Sequence, residues 1–491
     1  MDFRNSFSRE EAAVLVSGIV SMGLEILAGR IIAPEFGSTI YTWGSIIGVS
    51  MLALSLGYHY GGKNSTSISG MKDLEGFLIR TSGYILFIMY FGDQILSISS
   101  VLPVSSIYAP IIPITLLFGP PTYFLGFISP YAAQLSSKNS KGEASGHFYA
   151  VGTAGSILGA FGTTFLLIPN MSVGHIYILF AVLAALPLIQ NRRKLRTYYP
   201  AIFLIAGILL LNAPAAGSDT LYRTDTAYQS LEVTRSDGVT KLHLDGQQQS
   251  AKYLNSTATP WDYPEYFYIP FLMTDDVENV LFIGGGGFVS PQQFAEKGVK
   301  VDAVELDPGV VRAAKEYFNL SESSNLSVHT MDGREYLEQT NKTYDIVVLD
   351  AFRKSKVPFH LTTKQFFQLV HQKTDEDGVV VSNVISTDSG PGSRFAKSYY
   401  TTIDTEFRSV YYFPTRDTSY AQNIEIIASK KPRISQEELL ERDKNLCYRN
   451  LSSEITKMEK INSEDAQVLT DDYAPVEKLL NPLIGRKYVV N

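Results

Sequence analysis

Cysteine is all but missing: 491 residues contain one, Cys447. A single thiol excludes an internal disulfide framework and a cysteine-built zinc cluster, and no metal site is expected. A basic balance is missing too. The 49 acidic residues outnumber 42 Lys and Arg, leaving a net charge of −7, so a nucleic-acid partner is not expected. Charge is also unevenly withheld. Up to about Leu211 the chain is a series of long apolar segments with sparse charge, and from Asp219 onward it is mixed and charged. A chain this long does not form one core, so at least two domains are expected.

The apolar segments lie at about 11–32, 41–60, 78–100, 107–130, 147–168, 172–189 and 198–213. Each is near or above spanning length, the last two being short. They predict an α-helical multi-pass membrane domain over residues 1–216, with about seven spans and the lipid bilayer around it. A cleaved signal peptide does not fit, because the first apolar segment is long and more spans follow. Gly152, Ser156 and Ala160, with Gly155 and Gly159 beside them, offer a small-residue face for close helix packing. Basic residues gather in alternate connections: Lys63, Lys72 and Arg80; Lys138 and Lys141; Arg192, Arg193, Lys194 and Arg196. That pattern puts these loops and the N-terminus on the cytoplasmic side of a cell membrane. Seven spans then carry the second half to the other side, and six or eight keep it on the same side. Glu25 and His59 are ionisable groups at or near membrane depth. Either they serve function, or Glu25 pairs with Arg30 and His59 sits at the interface.

In the second half, Leu221 to Leu244 reads as two or three strands around an Asp237-Gly238 turn, with another turn at Asp245-Gly246. This leading β region spans 217–275 and ends in an aromatic stretch, WDYPEYFYIPFLM, expected to be helical after Pro264. The stretch Val280 to Asp307, VLFIGGGGFVSPQQFAEKGVKVDAVELD, then organises everything that follows. An apolar strand runs into Gly284 to Gly287, and a second strand ends at Glu305. A carboxylate about 20 residues beyond a glycine turn is the spacing of a βαβ nucleoside site. Glycines let the backbone approach the ligand, and the acid accepts hydrogen bonds from ribose hydroxyls. The same glycines also suit an ordinary tight turn.

Strands at 280–283, 301–304, 326–329, 345–349 and 378–383 alternate with helices at about 289–297, 308–317, 333–339 and 362–372. The alternation predicts a doubly wound, mostly parallel sheet with ligands at the carboxyl ends of its strands. Three acids fall at those ends: Glu305, Asp332 in the turn MDGRE, and Asp350 after YDIVVL. For a nucleoside-sulfonium ligand they suit the ribose, the adenine amino group and the reacting carbon in that order. A carboxylate at Asp350 also suits a proton acceptor for an amine nucleophile. As plain structure, each acid is a cap of the following helix. The core is expected over 276–430, with a charged helical extension and tail over 431–491. In that tail Asp471 and Asp472 read as solvated.

Taken with these residues, the chain resembles the spermidine synthase (polyamine aminopropyltransferase) family, and more narrowly its membrane-fused branch. The matching pieces are Tyr228-Gln229, Leu244-Asp245-Gly246, Tyr263 with Glu265, the glycine loop, VELD, MDGRE and the strand ending at Asp350. The resemblance implies a Rossmann-like, class I methyltransferase-like fold. It implies a transferase of polyamine biosynthesis that uses decarboxylated S-adenosylmethionine as co-substrate, needs no prosthetic group and forms an oligomer. Gln229, Gly284, Gly285, Gly286, Glu305, Asp332 and Gly333 match the nucleoside-binding positions, Tyr263 an amine-substrate position and Asp350 the proton acceptor. The acceptor implied is a putrescine-like amine, and methylthioadenosine is released.

Three positions depart from the family pattern. Gly287 and Arg353 stand where the family has acids, and Pro264 stands where it has Gln or His. Arg353 is expected to repel a dication. His360 is either a base of a different acceptor pocket or a helix-start residue. The alternatives are therefore a transferase with another acceptor, including methyl transfer from S-adenosylmethionine, and a transporter or sensor whose soluble portion binds nucleoside or polyamine without chemistry.

Overall fold

The computed structural model describes residues 8–36, 39–67, 70–100, 108–136, 141–185, 219–254, 256–353, 357–444 and 449–483. They fall into two compact units. One comprises Met1–Ser218 with Thr224–Gln229, and the other Asp219–Arg223 with Ser230–Asn491.

The first unit is helical. Helices α1 (Arg9–Phe36), α2 (Ile40–Asn64), α3 (Met71–Ser100), α4 (Ile111–Gly126), α5 (Ile128–Ser136) and α6 (Lys141–Phe161) are followed by a π-helical stretch, Gly162–Leu167. Helix α7 is Val173–Ala185. Among the described residues, five helical stretches are long and apolar enough to cross a membrane, α4 with α5 and α6 with its π extension counting as one each. Helix α7 is a sixth apolar helix, shorter than a span. The segment expected at 198–213 lies outside the described residues. Helix α3 begins at Met71, so Lys72 and Arg80 ride on a helix rather than a loop.

The small-residue face does what its spacing predicts. A Cβ on Gly155 would lie 2.3 Å from the Leu15 carbonyl oxygen, and one on Gly159 would lie 2.3 Å from that of Ile19. Helices α1 and α6 therefore meet backbone to backbone. Arg30 is not held by Glu25. It donates to the backbone carbonyls of Thr226, Ala227 and Gln229, because a guanidinium has several donors and carbonyls at a turn offer several acceptors. His59 is exposed.

The second unit holds two sheets. The smaller has the order β1 (Thr220–Asp225), β2 (Ser230–Ser236), β3 (Val239–Leu244), β4 (Gln247–Tyr253). The fourth strand, QQQSAKY, has too little alternation to be read from sequence. After it, Tyr263–Leu272 winds as a 3₁₀ helix with Tyr266, Phe267, Tyr268 and Ile269 fully buried.

The larger sheet contains β5 (Asn279–Ile283), β6 (Lys300–Glu305), β7 (Leu326–Thr330), β8 (Tyr344–Leu349), β9 (Thr374–Ser386), β10 (Ser409–Pro414) and β11 (Gln422–Ser429), in the order β10-β11-β9-β8-β5-β6-β7. Strands β5 to β9 run parallel, and β11 enters antiparallel against β9 and β10. The order reverses between β5 and β8, the switch point at which such sheets bind ligands. This is a Rossmann-like sheet of the class I methyltransferase type, and its antiparallel hairpin at 409–429 was not expected from the sequence. Four apolar residues of β5, Val280 to Ile283, are each at most 2% exposed. Burying one such side chain contributes roughly 1.5–3 kcal/mol, so they fix the central strand from both faces.

Helices α8 (Val289–Glu296), α9 (Pro308–Tyr317), α10 (Gly333–Gln339), α11 (Lys364–Lys373) and α12 (Arg394–Asp404) connect the strands. The extension packs as core. Leu439, Leu451 and Ile455 are fully buried against the same cluster as Tyr266 and Val348.

Replacing Gly155 by Leu is expected to push α1 and α6 apart at a cost of about 1–3 kcal/mol or more. A lower thermal midpoint in detergent checks this. Gly146→Ala, inside the same helix but with nothing within 4 Å of the added carbon, should not lower the midpoint and is expected to raise it slightly.

Candidate functional site

The site grows from the turn after β5. Gly284 has φ +104 and Gly286 φ +50, conformations that cost a side-chain-bearing residue free energy. Space forbids a side chain as well. A Cβ on Gly284 would sit 2.3 Å from the Asp350 carbonyl oxygen, and one on Gly285 would sit 2.3 Å from the Phe288 ring. The loop is thus pressed onto the end of β8, and its amides face the end of β6. There the Glu305 carboxylate accepts from Gly285 N at 3.0 Å, Gly286 N at 3.2 Å and Asp307 N at 3.0 Å. Burial pushes the Glu305 carboxyl up, and these three amides pull it back. The expectation that the glycines and Glu305 meet is met at hydrogen-bond distance.

Asp332 follows β7 and caps α10. Its Oδ1 accepts from Arg334 N at 2.9 Å and Glu335 N at 3.2 Å, and such a cap is worth ~1 kcal/mol. Its Oδ2 is 2.9 Å from His360 Nε2. That bond and the cap amides hold the carboxyl below its ordinary range against partial burial. His360 is thus a neighbour of Asp332, and its place there was not visible in the sequence. Gly333 is required by packing, since a Cβ would meet Ile283 Cγ2 at 2.3 Å. Asp471 is exposed, as expected, and it also accepts from Arg334 at 2.9 and 2.7 Å and from Thr363 at 2.6 Å, because the tail folds back to α10 and α11.

Asp350 ends β8 beside the glycine loop. Asn383 Nδ2 donates to its Oδ1 at 2.8 Å, and the Tyr263 hydroxyl lies 3.4 Å from its Oδ2. Desolvation raises its pKa to about 7, and these two neutral donors only partly oppose the rise. Asn423 in turn donates to Asn383 Oδ1 at 2.8 Å. Neither Asn was singled out from sequence, and the only signal was a polar residue inside each apolar strand. A cleft runs past Ser250, Trp261, Tyr263, Pro264, Gly284 and Asp350.

Gln229 is buried in the turn between β1 and β2, where its backbone N–H and carbonyl close on Thr226. The departures have physical explanations. At Gly287 a Cβ would meet the Phe318 ring at 2.8 Å and Ser250 Cβ at 3.0 Å, so the place an acid would point is filled. Arg353 pairs with Asp245 at 3.1 Å, both largely buried. Its charge is balanced, and the expected repulsion of a dication is correspondingly weakened. Glu265 is clamped by Arg449, whose guanidinium lies 3.9 Å from the Tyr268 ring centroid.

Residues 267–434 match the family model described as "Spermine/spermidine synthase domain". Over those residues, the second half of the chain is similar to spermine/spermidine synthase domains. Among curated proteins, the chain is 26% identical over 302 residues to the polyamine aminopropyltransferase of Vibrio vulnificus, covering 57% of this chain and 98% of that one. It is 29% identical over 226 residues to the probable polyamine aminopropyl transferase of Bifidobacterium longum, covering 42% of this chain and 50% of that one. Among solved structures, a probable spermidine synthase from Corynebacterium glutamicum is 19% identical with a TM-score of 0.44, covering 52% of this chain and 97% of that chain. The matched residues contain the glycine loop, Glu305, Asp332 and Asp350. β1 to β4 and the start of the 3₁₀ helix precede the matched residues.

Because the folded-state pKa of Asp350, about 7, lies above its ordinary value, the folded state holds the proton more tightly. Stability contributed by that proton falls as pH rises from about 4 through 7. Asp350→Asn is therefore expected to raise the thermal midpoint at pH 8, by on the order of 2 kcal/mol after allowing for partial exposure. The gain should vanish near pH 4, which melting curves at the two pH values check.

Proposed function

We propose that this protein is a membrane-anchored aminopropyltransferase. It moves the aminopropyl group of decarboxylated S-adenosylmethionine to an amine and releases methylthioadenosine. The observation that carries the reading is Asp350, a carboxyl at the switch point of the sheet, beside a glycine loop, with its pKa raised to about 7. A base of that strength accepts a proton from an ammonium or amine near neutral pH, whereas an ordinary carboxylate is too weak to do so efficiently.

In this reading Gly284, Gly285 and Gly286 bring the backbone against the nucleoside. Glu305, already oriented by three amides, has lone pairs left for the ribose hydroxyls. Asp332, oriented by His360 and by the helix it caps, takes the adenine side with Gly333. Tyr263 and Asn383 hold the Asp350 carboxyl from two sides, so that it faces the carbon next to the sulfonium. The amine nitrogen forms a bond to that carbon as the carbon–sulfur bond breaks, the sulfur takes the electron pair, and the amine proton goes to Asp350. Catalysis then rests on orientation and proton removal. The names of the curated relatives and the matched domain support the class of reaction. Among the described residues, five helices of spanning length support the anchor.

Two outcomes are expected of detergent-purified protein. Methylthioadenosine release should depend on both decarboxylated S-adenosylmethionine and an amine. It should fall by about 10²-fold or more in Asp350→Asn, and Glu305→Gln should weaken nucleoside affinity by about tenfold. No release with nucleoside binding intact would sink the assignment, and methyl transfer from S-adenosylmethionine would redirect it. For the wild type, kcat/KM should rise with pH through about 7 as Asp350 loses its proton, which a pH–rate profile reads directly.

A further inference from the structure

One carboxyl takes no role in the chemistry just described. Glu425 lies in the middle of β11, fully buried. Neither of its oxygens has a hydrogen-bond partner. A buried polar group without a partner is costly, and Ile427, two residues on along the same face, is apolar and fully buried.

Its position in the sheet is specific. Leu349 of β8 is registered with Ser382 of β9, and Asn383, the next residue, is registered with Glu425 of β11. Asp350, Asn383 and Glu425 therefore form one row across three adjacent strands. Asn383 bonds Asp350 directly. Side chains at registered positions share a face of the sheet, and here the face is covered by the 3₁₀ helix that contains Tyr263, Tyr266 and Phe267. The charge of Asp350 acts on Glu425. Tyr266, whose buried hydroxyl is also unpartnered, responds to Glu425 in turn.

Two strand spacings separate the ends of the row, roughly 10 Å from backbone to backbone, and less between carboxyl groups leaning toward one another. That is the span of a short α,ω-diamine. It is too long for one nitrogen to touch both acids. The glycine loop contributes no carboxylate, since Phe318 and Ser250 fill the space at Gly287.

We propose that Glu425 is the specificity-determining anchor of the acceptor, receiving the far ammonium of a diamine whose near nitrogen lies at Asp350. This rests on the aminopropyltransferase reading. The methylene chain would run under Tyr263, Tyr266 and Phe267, over Asn383. An arriving ammonium supplies the opposite charge that a buried carboxylate needs, and the Tyr266 hydroxyl supplies a hydrogen-bond donor. Because Glu425 is closed from solvent, the Tyr263–Leu272 helix must swing outward to admit the chain and close behind it.

The test separates this assignment from the reaction itself. Calorimetry on the full-length protein saturated with methylthioadenosine measures affinity for 1,4-diaminobutane and for butylamine, without any chemistry. The wild type is expected to prefer the diamine by about tenfold or more, the worth of one charge-assisted contact. Glu425→Gln, and independently Glu425→Met, should bring the two amines to within about twofold while methylthioadenosine affinity stays at the wild-type value. Equal affinities in the wild type, or a diamine preference that survives both substitutions, would overturn the assignment. Diamine preference lost on substitution but with no aminopropyl transfer would leave the anchor standing and remove only the reaction.

Discussion

No side chain fits at position 284. The loop after β5 approaches the end of β8 so closely that an added carbon would lie 2.3 Å from the Asp350 carbonyl oxygen. That single backbone contact sets the rest of the site. It lets Asp350 N donate to the Ile283 carbonyl and fixes the acid at the switch point of the sheet. It also turns the next two amides toward Glu305. Gly333 has a matching role further out in the sheet, where its missing side chain leaves room for Ile283. The glycine loop and the acid thereby belong to a single junction rather than to separate loops.

The carboxyl groups around this junction differ in what they are given to bond with. Asp332 has two amides and a histidine and is held acidic. Glu305 has three amides against deep burial and is moved up. Asp350 has only an amide side chain and a phenol, and rises to about 7. Glu425 has no donor and is pushed well above the ordinary carboxylate range. The directions follow the number and strength of donors set against desolvation.

Much of this was legible in the residues. The apolar runs ending at Ile283, Val304 and Leu349 can only be buried strands. The glycine turn and the acid 20 residues on belong together because a βαβ unit returns the chain to the same edge. The expected strands and helices of the parallel region agree with the observed ones to within a few residues. What escaped notice involved contacts between distant segments. The hairpin at 409–429 has no turn dipeptide of the usual kind, and β4 is too polar to look like a strand. His360 had two readings, a base of an acceptor pocket and a helix-start residue; it lies in the short helix Phe359–Leu361 and reaches Asp332. Asp471 is exposed as expected, and what was hidden is its partner Arg334, 137 residues away.

By itself, then, the sequence determined the division into two units, the alternation of strands and helices, and the acids at strand ends, because hydrophobic periodicity and glycine turns act over a few residues. Only the tertiary structure decided which groups face those acids. It filled the place of an acid at Gly287 with Phe318 and Ser250, balanced Arg353 with Asp245, and set Asn383 and Glu425 in register with Asp350. Registry across a sheet and packing against an aromatic helix depend on segments tens of residues apart. Their chemical consequences, a raised pKa and an acid without a partner, appear only once those segments exclude water together.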